Sequence, residues 1–155
     1  MKIVSDPSTP LNPEVLMNDV LARPLFAHLS TMHNDGPRES PVWFLWKEEY
    51  VWILGNTLTD SFLTRIKQDS RCALGVVDFQ PSNGLVYHVG FRGHGHVRAH
   101  DRERITALFR KYMGDQEHWD PRFAAVLGDP NWEVICIQPD TAVVRDQSYS
   151  LHDHS

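Results

Sequence analysis

Arg38-Glu39-Ser40-Pro41-Val42-Trp43-Phe44-Leu45-Trp46, followed by Tyr50-Val51-Trp52-Ile53-Leu54 and then Gly55-Asn56-Thr57, is the stretch that decides the fold. The first two runs are short and rich in aromatic and β-branched residues. With Lys47-Glu48-Glu49 as a polar turn between them, they read as a β-hairpin. A third apolar run, Cys72-Ala73-Leu74-Gly75-Val76-Val77, follows the helix that Gly55-Asn56-Thr57 opens. An antiparallel strand with one wet face alternates apolar and polar residues. These runs do not. Val42, Phe44 and Trp46 fall on one face of the first strand, Trp43 and Leu45 on the other. Both faces therefore need apolar cover. One cover is the protein's own core; the other is a helix, a second subunit or a flat aromatic ligand.

Outward from this stretch the chain alternates strand and turn signals. The first dozen residues, with Pro7 and Pro10, suggest an extended arm. Asn12 is placed as an N-cap with Pro13 at the first helical position, and Arg23-Pro24 ends that helix. Residues 25–32 read as a strand closed by the Asn34-Asp35-Gly36 turn, and 60–68 as a helix. Residues 85–99 form a long strand whose Gly90, Gly93 and Gly95 signal a bulge or a close backbone approach. Asp101 caps a helix in which Ile105, Leu108, Phe109, Tyr112 and Met113 recur at helical spacing, and Gly114 ends it. A short helix between Asp120-Pro121 and Gly128 precedes strands at 132–137 and 141–144, joined at Gln138-Pro139-Asp140. Residues from about 146 onward form a polar tail. The pattern predicts one domain, mainly β with inserted helices: a small antiparallel barrel of about six or seven strands.

The totals exclude several classes. A chain of 155 residues buries about two-thirds of its unfolded surface in one core. The net charge of −5 offers no basic stripe for nucleic acid. No apolar run approaches the ~20 residues of a membrane span, and the N-terminus lacks a signal peptide's apolar core. Cys72 and Cys136 sit inside strand-like apolar runs, which suits free buried thiols in a reducing cytoplasm. His88, His94, His96 and His100 share a strand face, but with no carboxylate or cysteine at fixed spacing they read as surface or hydrogen-bonded residues. No Ser-His-Asp or Cys-His nucleophile is evident.

The order of pieces carries a resemblance. A strand, an Asp-Gly turn, SPVWFLW (Ser40 to Trp46), a second strand, Gly-Asn-Thr, a helix, DSRCALGVVD (Asp69 to Asp78), FRGHGHV (Phe91 to Val97) and a helix opened by Asp101 follow in series. Over roughly 24–114 the chain resembles the pyridoxamine 5'-phosphate oxidase-like, FMN-binding split-barrel family. The resemblance implies a homodimer with FMN at the subunit interface, the flavin ring lying along Ser40, Pro41, Val42 and Trp43. It places polar contacts at Asn56 and Thr57, with the phosphate near the start of the next helix. Such a start offers free N–H groups and a positive dipole end. Ser61 would present a hydroxyl there, and Arg65, one turn on, either reaches the phosphate or is a solvated helix residue. His88 and Arg92 lie on the strand that, in the family, crosses to the flavin of the other subunit.

The departures are as informative. Pyridoxamine phosphate oxidases carry an Arg-Lys pair early in this helix, where Ser61 and Phe62 stand here, and Asp60 adds negative charge. FMN would then rely on Arg65 and on Arg38, Lys67 or Arg92. The family's members also include binders of coenzyme F420 and of haem. Ser150-Leu151-His152 falls where the oxidases have Arg-Leu-His, so pyridoxamine phosphate itself is not the expected substrate. The expectation is an FMN-dependent oxidoreductase of a small molecule, with a nicotinamide cofactor as a possible electron source. The alternatives are an F420-dependent reductase and a non-enzymatic flavin or haem carrier or sensor.

Overall fold

The structure, a computed structural model, describes residues 1–5 and 12–152. Pro7 and Pro10 of the expected arm and residues 153–155 of the tail lie outside the described residues. Among the described residues eight strands make one sheet: β1 (Lys2–Ser5), β2 (Ala27–His33), β3 (Gly36–Val42), β4 (Leu45–Lys47), β5 (Tyr50–Asn56), β6 (Arg71–Gln80), β7 (Leu85–Arg98) and β8 (Trp132–Asp146). Four α-helices are inserted among them: α1 (Pro13–Leu21), α2 (Phe62–Gln68), α3 (Arg102–Met113) and α4 (Pro121–Val126). The strand order is β3-β2-β6-β7-β8-β5-β4, with β1 added in parallel along β8. No helix among the described residues is long and apolar enough to cross a membrane.

The two edges of this sheet, β3 and β4, are consecutive in sequence, and they do not pair. The chain leaves one edge after Val42 and joins the other at Leu45, so Trp43 and Phe44 bridge an open seam in the barrel. The hairpin expected across Lys47-Glu48-Glu49 is therefore real only for β4 and β5. Arg38 to Val42 pairs instead with β2, Arg38 opposite Thr31 and Val42 opposite Ala27. The loss of pairing at Trp43–Phe44 is made good by α3. The Tyr112 hydroxyl accepts from the Phe44 amide at 3.1 Å and donates to the Leu25 carbonyl at 2.6 Å. The Phe44 carbonyl accepts from Lys111 Nζ at 2.9 Å. Backbone groups that leave a ladder must find partners elsewhere, and here the partners come from a helix nearly 70 residues away.

The remaining corrections are local. The expected strands at 132–137 and 141–144 form one continuous β8, because the Gln138-Pro139-Asp140 step is absorbed as an irregularity in the ladder. Arg92 faces Thr141 while Gly93 faces Pro139, leaving Asp140 extra. Gly93 permits this approach: a Cβ there would stand 2.1 Å from the Gln138 carbonyl oxygen. Lys2–Ser5 of the expected arm is a strand, and the tail from Gln147 to Tyr149 bonds back to Val86 and Gly84. α1 starts at Pro13, where the Asn12 side chain accepts from the Val15 amide. α2 begins at Phe62, two residues later than read from sequence.

Two apolar clusters result. The first fills the barrel: Leu29, Val42, Phe44, Val51, Ile53, Leu74, Val76, Val89, Phe91 and Ile135 are buried. α1 and α2 close its opposite ends. Arg23, just past α1, meets Asp78 and Tyr87, whereas α2 meets Thr31 through Arg65 and Gly95 through Ile66. The second cluster lies outside the barrel, where Trp52, Val134 and Cys136 of β5 and β8 face Ile105, Leu108 and Phe109 of α3 and Val126 of α4. Val42 and Phe44 belong to the first cluster, with Trp46 packed against it, and Trp43 and Leu45 pack on the second. The two-faced reading of this strand holds, and the cover on its second face is the chain's own helices.

Candidate functional site

A cavity of about 500 Å³ opens at the seam, within the ~300–1,000 Å³ typical of small-molecule sites. Its walls come from four places that only the fold brings together. Pro41, Val42 and Trp43 supply the seam itself, and Leu54 and Trp132 the sheet. Asp60 and Phe62 come from the approach to α2, and Leu108, Phe109, Arg122, Phe123 and Val126 from α3 and α4.

Trp43 organises this space. Its ring lies 4.5 Å from that of Tyr112 at 3° and 5.8 Å from that of Phe123 at 15°, with the edge of Phe109 at 6.5 Å. Parallel rings at these separations are attractive beyond the area they bury. Two polar side chains of α3, Lys111 and Tyr112, anchor the seam beside Trp43–Phe44. Lys111 Nζ donates to the carbonyls of Leu21 and Phe44, each at 2.9 Å, and sits 3.6 Å from the centre of the Phe44 ring. Burial pushes its pKa down to about 7, against the pull of those carbonyls and that ring. Burial pushes the Tyr112 hydroxyl up to about 12, so it remains a neutral donor and acceptor.

Of the residues singled out from sequence, Pro41, Val42 and Trp43 line the cavity. Ser40 sits one step earlier on β3, opposite Leu29. Asn56 and Thr57 adjoin the cavity through Asp60, whose carboxylate accepts from the Asn56 amide at 2.7 Å. The Asn56 side chain accepts from the Leu58 amide, and the Thr57 amide donates to the Asn131 carbonyl. Ser61 and Arg65 bond each other at 2.8 Å, and Arg65 Nε donates to Thr31 Oγ1 at 2.7 Å, towards the barrel end. Neither lines the cavity wall.

His88 and Arg92 lie on the outer face of β7. His88 stands opposite Val77 and Arg145, and burial first, then the charge of Arg145, lowers its pKa. Arg92 is exposed on that same face, opposite Ala73 and Thr141. Of the other histidines, His94 meets Ser70 at 2.9 Å, and His100 lies beyond the strand, between the carbonyls of Trp132 and Leu127. The thiols of Cys72 and Cys136 are buried and free, and burial raises both pKa values, that of Cys72 to about 11.

Sequence reasoning missed Leu54, Leu108, Phe109, Arg122, Phe123, Val126 and Trp132 as site residues. The apolar stripe of α3 was evident, but periodicity marks a buried face without saying what it is buried against. At α4 there was no local signal: an Arg-Phe pair on a six-residue helix is ordinary, and only the fold brings it against Trp43.

The model of a family described as pyridoxamine 5'-phosphate oxidase matches residues 15–142. No curated protein matches the sequence. Among solved structures, a conserved hypothetical protein of Mycobacterium tuberculosis is similar at 13% identity, with 97% of this chain and 98% of that one covered and a TM-score of 0.76. A protein described as an F420 reductase is similar at 24% identity, with 81% and 94% covered and a TM-score of 0.59. A protein of Mesorhizobium loti described as FAD-binding is similar at 11% identity, with 87% and 95% covered and a TM-score of 0.65. At these identities the structural likenesses speak for the fold.

Proposed function

The chain belongs to the pyridoxamine 5'-phosphate oxidase family, and on that premise we propose that it is an FMN-dependent oxidoreductase acting on a small organic molecule other than pyridoxamine phosphate. The observation that carries this reading is the seam cavity. It is lined by the rings of Trp43, Phe109, Phe123 and Trp132 and by aliphatic side chains, of a size and chemistry that suit a planar tricyclic ring. When bound, the flavin supplies hydride or electron transfer. The residues of this chain bind and orient it. Pro41 and Val42 present backbone along the seam, Trp43 forms a wall backed by Tyr112 and Phe123, and Phe109 and Leu108 exclude water. The family's solved relatives described as an F420 reductase and as FAD-binding support a flavin-type ligand. Haem fits less well, because no histidine, cysteine, methionine or tyrosine is among the described lining residues to ligate iron.

A second copy of the chain is part of the proposal. Phe26, just before β2, and Val77 and Phe79 of the adjoining β6 are 54%, 50% and 54% exposed. Beside them Gly75 pairs with Gly90, over which the His88 side chain lies. An apolar patch of this kind on a soluble chain marks an association surface, and His88 and Arg92 lie on it. The separately buried thiols suit a reducing compartment, the cytoplasm.

Titration of purified protein with FMN, riboflavin and F420, read by quenching of tryptophan fluorescence, tests the ligand. Saturable quenching by a flavin, and bleaching of the bound flavin by a reduced nicotinamide, are the expected results. Quenching no stronger than that given by albumin sinks the flavin reading. Sizing of wild type and Phe79→Asp tests the dimer: a dimer that the substitution splits supports it, and a monomeric wild type removes it.

The thin anion site favours a second reading, a flavin-binding carrier or sensor without turnover. Asp60 places a carboxylate in the wall, and Ser61 and Arg65 are engaged with each other. Tight flavin binding with no reduction by either nicotinamide would move the proposal to this reading.

A further inference from the structure

The flavin reading, on which this inference rests, does not fix which way round the ring lies. A flavin tricycle carries two carbonyls at one end and only methyl groups at the other. A polar group in the cavity wall tells the two ends apart, and the indole N–H groups are the uncharged candidates. Of the five tryptophans, Trp46 donates to Asn18 Oδ1 at 2.8 Å and Trp119 to the Gly114 carbonyl at 2.9 Å. The N–H of Trp52 is sealed without a partner, with the Arg104 guanidinium 3.5 Å from the ring centre. Trp43 and Trp132 both line the cavity, and among the described residues neither N–H has a partner or is sealed from solvent.

Trp43 is held firmly in place. Tyr112 and Phe123 lie nearly parallel to it at 4.5 and 5.8 Å, and Phe109 meets it edge-on at 6.5 Å. The seam backbone next to it is pinned by Tyr112 and Lys111 through both polar groups of Phe44. Its stacking partners are thus the protein's own rings, and its N–H is a preorganised donor. The carboxylate in the wall, Asp60, takes the Asn56 amide at 2.7 Å instead. A ligand that covers Trp43 strips water from that donor. Unless the ligand brings an acceptor, the orphaned N–H costs more than the bond would have gained.

We propose that the Trp43 indole N–H donates to a carbonyl of the flavin's dione edge, so that this edge meets the seam and the methyl-bearing edge turns away from it. Trp43 is then a residue that sets orientation and specificity, favouring tricycles that carry the dione over flat rings that lack it. Trp132 stands opposite Asn56 where β5 ends. Its N–H falls to the hydroxyl-bearing side chain that leads from the ring towards the phosphate near α2.

Equilibrium dialysis with FMN and with lumiflavin, the bare ring without the side chain, tests this on wild type, Trp43→Phe and Trp132→Phe. Trp43→Phe keeps an aromatic ring and deletes the donor. It is expected to weaken both ligands by the same factor, about three- to tenfold, the worth of a neutral hydrogen bond. Trp132→Phe should leave lumiflavin binding unchanged. The infrared carbonyl bands of lumiflavin bound to wild type should lie below those of lumiflavin in an aprotic solvent. In Trp43→Phe they should move back up, which a merely structural loss would not produce. A Trp43→Phe loss for FMN but not lumiflavin, a lumiflavin loss confined to Trp132→Phe, or unmoved carbonyl bands overturns the assignment while the flavin reading stands. A wild type that binds neither ligand overturns both.

Discussion

The inside of the barrel and the layer outside it share the same sheet, the outer layer adding α3 and α4, yet they behave as different materials. The interior is largely aliphatic, with Leu29, Ile53, Leu74, Val76, Val89 and Ile135 almost wholly hidden. Branched side chains interdigitate and leave little room. The outer layer is aromatic. Trp43, Tyr112, Phe123, Phe109 and Trp119 stack or meet edge to face. Flat rings held by a few contacts tile a surface without filling a volume, and the cavity lies there. The interior holds the fold, and the outer layer offers a place to bind. Phe44 and Trp43, adjacent in sequence, are the point where one material becomes the other.

That contrast can be broken most severely at Phe44. Phe44→Ala is expected to cost about 3–5 kcal/mol of unfolding free energy, because a fully buried ring is replaced by a cavity. Trp43→Ala, at a half-buried position, should cost clearly less in urea denaturation while abolishing flavin quenching. Equal stability losses for the two would erase the distinction between core and site.

The clamp between the two layers comes next. Tyr112→Phe removes the hydroxyl shared by Leu25 and Phe44 and should cost about 1–3 kcal/mol, since it orphans buried backbone groups. Lys111 adds a pH dependence. With its folded pKa lowered to about 7 from 10.5, the unfolded chain holds a proton between those values that the folded chain has released. The unfolded state binds more protons there, so this group makes stability rise as pH climbs from about 7 towards 10.5. Below 7 both states are protonated, and the folded one carries the full cost of a buried charge. Lys111→Met should remove this slope in denaturation curves taken from pH 6 to 9. A wild-type profile as flat as that of the variant would mean that the two carbonyls and the Phe44 face hold the proton after all.

The smallest expected effect lies at the turn between β4 and β5. Glu48 and Glu49 both adopt left-handed backbone, at φ of 58° and 64°. Such a two-residue turn favours Asn-Gly. Replacing the pair by Asn-Gly should raise the thermal midpoint by a few degrees, for a gain of about 1 kcal/mol, and should leave flavin binding alone. A loss of stability would mean that the contact of Glu48 with Arg104 at 3.7 Å outweighs the backbone strain.

Much of this could be read in advance. The caps at Asn12 and Asp101, the helix start at Asp120-Pro121, the Gly36 turn and the split of apolar residues across the strand at 42–46 all follow from local rules. A strand's side chains alternate and a helix start needs an acceptor, whatever the rest of the chain does. The site was read less completely. Pro41, Val42 and Trp43 were found because they lie within the same informative stretch. Phe109, Phe123 and Arg122 lie 66 or more positions beyond Trp43 in the chain, and nothing in their neighbours' spacing announces that they will meet it.

The deepest division falls at the seam. That both faces of the strand had to be covered was inherent in the order of its residues. That the cover would be α3 and α4, that the strand would part at Trp43–Phe44 to join opposite sheet edges, and that residues of α4 would line the cavity were settled by long-range packing. Burial and alternation are properties of a few consecutive residues. The partner that satisfies them is chosen by the energy of the whole barrel, in which the Phe44 carbonyl takes its hydrogen bond from Lys111, 67 positions away.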